Sequence, residues 1–250
     1  MLPILMYHGL HADPHAPGRY DPVYSVRPDD FARQLDWLLA HGYQSVRLGE
    51  HAGDATRQVV ITFDDGDISN LTVALPLLRE RGLTAEFFIS SDFLGQPGML
   101  APADVGTLSA AGMGVGSHGR SHAFLADLDE ADLIAELLES RRRLQVLSRQ
   151  GVVALALPGG RGGARERWLA LALGYRHLLG STPGPNRRAA NGNWWERLAV
   201  TRSLSLPEFG ALVGWQGLSP RIARARFLAL AVPKRVLGND SYQRLRARLL

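Results

Sequence analysis

Two pairs of residues in this chain have the types and spacing for metal-assisted hydrolysis. Asp64 and Asp65 are adjacent in Thr62-Phe63-Asp64-Asp65-Gly66, and His118 and His122 stand four apart in Ser117-His118-Gly119-Arg120-Ser121-His122. Each pair directly follows an apolar run that reads as a buried strand, Val59-Val60-Ile61 before the first and Met113 to Gly116 before the second. One carboxylate with two imidazoles is a donor set for a divalent cation that activates water, and a spare carboxylate beside it is a candidate base.

Each run also has a plainer reading. Asp-Asp-Gly after a strand is compatible with a βα turn in which one Asp caps the helix and Gly takes a positive φ. Two histidines four apart are compatible with solvated or core positions. Their joint occurrence at successive strand ends favours the metal reading. Two adjacent carboxylates crowd each other around one ion, so one binds and the other is left to accept a proton.

Two further groups fall at strand ends. Pro158-Gly159-Gly160-Arg161 follows the apolar Leu155-Ala156-Leu157 and reads either as backbone N–H groups for a developing oxyanion or as an ordinary tight turn. His8 ends the first apolar run, and a barrel would bring it to the same rim. His11, His15, His41 and His51 lie in polar loop contexts, and His177 falls on a strand-like run without a partner motif.

The elements that must carry these groups alternate. Strand-like runs at Pro3 to Met6, Val59 to Phe63, Ala85 to Ser90, Val152 to Leu157 and Leu198 to Thr201 are separated by helical patterns. The spacing predicts helices from Asp29-Asp30 to Gly42, over Asn70 to Arg81, from Asp129 through Leu147, and over Glu166 to Leu173, with a mostly helical pattern from Leu206. Such alternation implies parallel βαβ units. About seven strand candidates favour an α/β barrel, closed or nearly so, with its chemistry at the C-terminal strand ends.

At 250 residues, with 46% apolar and 21% charged residues, one large soluble domain is expected. The lack of cysteine excludes disulfides and thiolate metal ligands. The start has no basic head or apolar stretch of a secretory signal, and no run approaches the roughly 20 apolar residues of a membrane span, so a cytoplasmic location is expected. The net charge of +4 is uneven: the tail from Ser219 carries eight basic residues against Asp240 alone. Tyr242, Leu245 and Leu249 stand there at helical spacing among Arg244, Arg246 and Arg248. This tail reads as a peripheral contact with an anionic membrane or a glycan-synthesising partner such as a glycosyltransferase, or as a terminal helix packed on the barrel. Confinement of the excess of basic over acidic residues to the tail, without interleaved aromatics, argues against nucleic acid.

The combined motifs resemble those of the polysaccharide deacetylase family, carbohydrate esterase family four, from Pro3 to about Thr201. The resemblance implies a deformed (β/α)7 barrel and metal-dependent hydrolysis of N-acetyl groups on an amino-sugar glycan. It implies Asp64 as general base and Asp65, His118 and His122 as ligands of one divalent ion, zinc first, with cobalt, nickel or iron as alternatives. It places Gly159, in the Pro158 loop, at the oxyanion. No histidine follows His177, so the family's Leu-x-x-His motif is missing from its usual place. Ile4-Leu5-Met6-Tyr7-His8 is similar to that motif moved to the N-terminus, as in the circularly permuted poly-N-acetylglucosamine deacetylases, which implies His8 as general acid. Ala156 stands where many members carry an arginine, and Gly159 where tyrosine is usual. Arg197, in Glu196-Arg197-Leu198-Ala199-Val200, is similar to an arginine before a late strand of the permuted branch. Rival readings are an O-deacetylase or deformylase acting on a nucleotide- or lipid-linked sugar, and a catalytically silent carbohydrate-binding barrel.

Overall fold

The run Val59 to Phe63 is apolar on both faces, as a strand covered on both sides must be, and it lies inside a parallel sheet. The computed structural model describes residues 1–50, 57–186, 193–218, 220–225 and 227–229. In chain order the elements are β1 (Ile4–Tyr7), α1 (Pro28–Ala40), β2 (Tyr43–Ser45), β3 (Arg57–Phe63), α2 (Leu75–Glu80), β4 (Glu86–Ile89), α3 (Pro102–Ala110), β5 (Gly114–Ser117) and α4 (Glu130–Ser148). They continue with β6 (Ala154–Ala156), α5 (Ala164–Ala172), β7 (His177–Leu179), β8 (Trp194–Trp195), β9 (Leu198–Ala199) and α6 (Leu206–Val213).

The sheet runs β8-β7-β6-β5-β4-β3-β1-β9, with β2 on the first half of β3. Its two ends belong to one run of chain. Trp194 and Trp195 pair with Leu178 and Leu179 of β7, while Leu198 and Ala199 pair with Leu5 and Met6 of β1. The split strand thus joins both edges of the curl, and the fold is the expected deformed (β/α)7 barrel.

Alternation along the strands sorts the core into two parts. Leu5 and Tyr7 face outward to Phe31, Leu35 and Leu38 of α1, in the larger apolar cluster. Ile4, Val60, Phe88, Ala154, Ala156, Leu179 and Trp195 form the cluster inside the curl. Two helix signals act as read: Asp29 and Asp30 fall in the first turn of α1, and the Asp129 side chain accepts from the Asp132 N–H. Pro28, which is not among those signals, opens α1. The Asn70 to Arg81 helix begins as a π turn over Asn70–Ala74, with Pro76 in the first turn of α2. Three elements escape the sequence patterns. β2 and β8 are three and two residues long, and α3 buries only Val105 and Leu108, too thin a face to mark a helix. No described helix is long and apolar enough to cross a membrane. His51, Tyr242, Leu245, Leu249 and Arg244, Arg246 and Arg248 lie outside the described residues.

One carboxyl sits within the barrel wall. Glu86 is 4% exposed, accepts from the Leu48 N–H at 2.9 Å, and has Arg47 Nε 3.8 Å away. Gly114 makes the room: a Cβ there would lie 1.8 Å from Glu86 Oε2. Burial pushes the Glu86 carboxyl up to about 7, against the pull of Arg47 and the Leu48 N–H. A raised carboxyl favours folding while protonated, fully below about pH 4.5, and that contribution is lost as pH rises through about 7. Glu86→Gln, which stays neutral, is therefore expected to gain on the parent across this window, by at most about 3 kcal/mol at pH 8. Thermal unfolding of both proteins at pH 4.5 and 8 tests this. Parallel stability curves would refute it.

Candidate metal centre

Parallel register places the two motifs on one rim. Tyr7 pairs with Phe63 and Ile89 with Ser117, so His8, Asp64 and His118 each follow at the C-terminal end of a strand. The Asp64 N–H donates to Tyr7 O at 2.9 Å, and the His118 N–H to Ile89 O at 3.0 Å.

Asp65, His118 and His122 converge, with one potential ligand atom from each lying within 4.8 Å of the others. Asp65 Oδ1 is 3.4 Å from His118 Nε2 and 3.3 Å from His122 Nε2. His118 Nδ1 donates to Ala156 O at 2.8 Å, which leaves the Nε2 lone pair directed at the cluster. The loop carrying His122 is held by the buried Glu136 carboxylate, which accepts from the Ser121 N–H at 2.6 Å and its hydroxyl at 3.0 Å. Asp65 has φ 76° and His122 φ 66°, so two of the three residues sit in the left-handed region. Strain of this kind persists where surrounding structure enforces it, and it clusters at functional sites.

Asp64 takes the other side. Arg197 donates to both of its oxygens, Nη1 to Oδ1 and Nη2 to Oδ2, each at 2.7 Å. Both groups are buried, Arg197 fully, and Arg197 Nε donates to Gly180 O at 2.8 Å. Arg197 occupies the break between β8 and β9. The bidentate pair locks the Asp64 plane, and each oxygen retains a second lone pair.

The charges follow from this geometry. Burial pushes the Asp64 carboxyl up, but Arg197, aided by His118, outweighs it and holds the group below the usual carboxylate range. Burial is likewise overridden at Asp65, where the imidazoles of His122, His8 and His118 hold the acid far down. Burial carries His118 down to about 4, so it is neutral at pH 7. Burial also acts downward on His122, and the Asp65 carboxylate more than offsets it, leaving that imidazole raised. Two fixed carboxylates and a neutral imidazole with its lone pair inward suit a divalent cation. The buried Asp65 Oδ1 makes no hydrogen bond among the described residues, and the 3.3 Å contact from His122 does not supply one. The donor set fits such an ion.

The same groups line a cavity of about 280 Å³ that also includes His8, Gly159, Asp67, Tyr24, Phe124 and Phe227. His8 stacks on Tyr24 with ring centroids 4.7 Å apart, and its carbonyl accepts from Asn70 Nδ2 at 2.9 Å. In the Pro158 loop the Gly160 N–H goes to Leu157 O at 2.8 Å and the Arg161 N–H to Pro158 O at 3.3 Å. Gly159 therefore carries the oxyanion expectation for this loop. Its φ is 60°, and a Cβ there would lie 2.4 Å from the Phe124 ring, which fills the volume of a side chain at 159. Pro158 is buried near Gly119, behind the residues that line the cavity.

Some neighbours had no readable signal. His11, whose sequence context is a polar loop, is fully buried in that loop, with Nδ1 2.8 Å from Ser25 Oγ and Nε2 3.3 Å from Asp67 Oδ1. Asp67, two residues beyond Asp65, also accepts from the Arg19 N–H at 2.6 Å and the Ser69 hydroxyl at 2.6 Å. It thereby pins the β1–α1 loop over the cavity.

The sequence model for polysaccharide deacetylases matches residues 52–178. YxkH of Bacillus subtilis strain 168, a protein named for the same family, is 26% identical over 219 residues, covering 85% of this chain and 76% of its own. Among solved structures, the Streptococcus pyogenes deacetylase PplD in complex with acetate superposes with a TM-score of 0.76 at 22% identity, over 85% of this chain and 97% of that one. IcaB from Ammonifex degensii gives 0.75 at 22% identity, over 85% and 96%.

Proposed function

Because this chain belongs to the polysaccharide deacetylase family, we propose that it is a metal-dependent hydrolase that removes N-acetyl groups from an amino-sugar glycan or glycoconjugate. The observation that carries this reading is one buried carboxylate, Asp64, clamped by Arg197 beside a second set, Asp65, His118 and His122, left open for a cation. Zinc is the favoured ion for two imidazoles and one carboxylate. Such an ion supplies Lewis acidity to the amide carbonyl and to the attacking water.

The remaining work falls to the chain. Asp64, held ionised and fixed in plane, takes a proton from the attacking water. The Gly159 N–H stabilises the oxyanion that develops on the substrate carbonyl. His8, in the same cavity, gives a proton to the departing amine. A silent carbohydrate-binding barrel would have no use for a clamped base, a cation triad and a proton donor in one cavity. Acetate and free-amine release from β-linked N-acetylglucosamine oligomers, by zinc-reconstituted protein, tests the reading. Release from O-acetylated sugars alone would replace it with the O-deacetylase alternative.

A further inference from the structure

We propose that the helical residues 220–225 and 227–229 flank the glycan site, with Phe227 as the platform for a pyranose ring next to the sugar being deacetylated. This rests on the glycan reading above and adds a subsite to it. Around the triad the cavity presents the polar side chains of His8, Asp64, Asp65, Asp67, His118 and His122. Tyr24, Phe124 and Phe227 bring aromatic rings to the same cavity. The third, Phe227, comes from the far end of the chain and is half-buried at the cavity wall. An aromatic side chain set among polar groups suits a sugar, whose ring presents apolar C–H faces between its hydroxyls.

The helix is tied to the barrel rather than laid against it. Arg224 Nη1 donates to Pro183 O at 2.6 Å and to the Glu196 oxygens at 2.9 and 2.8 Å. Gly184 leaves the slot for this pair, since a Cβ there would lie 1.6 Å from Glu196 Oε2 and 2.4 Å from Arg224 Nη1. Glu196 in turn precedes Arg197, the clamp on Asp64. The same split strand that orients the base therefore fixes where Phe227 stands.

The test is a length series of β-linked N-acetylglucosamine oligomers, one to six sugars, assayed for acetate release by the zinc-loaded protein. KM is expected to fall with length in the parent and to rise about 10-fold for the longer oligomers in Phe227→Ala, the loss typical of an aromatic anchor at a binding site. The fall in kcat is expected to be smaller. Phe227→Tyr should retain the parent KM, and Arg224→Met should follow Phe227→Ala. Equal KM values for the parent and Phe227→Ala at every length would overturn the subsite. So would a loss confined to kcat, which would place Phe227 in support of the triad. A parent that releases no acetate from any oligomer is a separate result, and it would remove the glycan reading and the subsite together.

Discussion

Asp64→Asn is expected to lower kcat by about 10²–10⁴-fold while the protein still takes up one divalent cation per chain. The amide keeps an acceptor oxygen but cannot take the proton, and none of the three proposed ligands is touched. The substitution also leaves the fully buried Arg197 guanidinium without its counter-charge, which costs about 3–5 kcal/mol when one member of a buried pair is removed. Activity must therefore be read at a temperature where the variant is folded, with metal content measured on the same sample. The double variant Asp64→Asn, Arg197→Met removes the stranded charge, so it should regain stability without regaining turnover. An Asp64→Asn protein within tenfold of the parent would exclude Asp64 as the base.

The double variant His118→Ala, His122→Ala is expected to lose metal affinity by at least about 100-fold, because changes merely adjacent to ligands already cost roughly 10–100-fold. Asp65 alone would remain, a single carboxylate with no imidazole partner. In the parent, uptake must displace the proton that Asp65 favours on His122, so affinity should climb as pH rises and binding should release protons. Zinc titration at two pH values, with elemental analysis of each variant, measures both effects. Full occupancy in the double variant would end the assignment.

The triad was legible because its members are local. Asp65 follows its strand by two residues and His118 follows its strand directly, so strand periodicity was enough to bring them to one rim. The clamp on Asp64 is different in kind. Arg197 is 133 residues away and sits between strand pieces of two residues each, too short to show a period. Only resemblance pointed to it. The fate of His11 was hidden for a similar reason: its burial depends on a carboxylate 56 positions on, across β3. Gly159 stands where the family usually carries tyrosine, and the ring that fills this volume is Phe124, two residues after His122. Spacing reports what one element offers, whereas such fillings depend on which elements meet.

Synthesis proceeds from β1, so every proposed ligand has left the ribosome some 70 residues before Arg197 does. Until that arginine arrives, the Asp64 carboxylate lacks its bidentate clamp, and the edge of β1 lacks β9 as a neighbour. Seating the run Trp194 to Ala199 completes both at once. On the function proposed above, the clamp on the base is therefore the last part of the site to form, and a chain cleaved ahead of Trp194 would carry the triad without it.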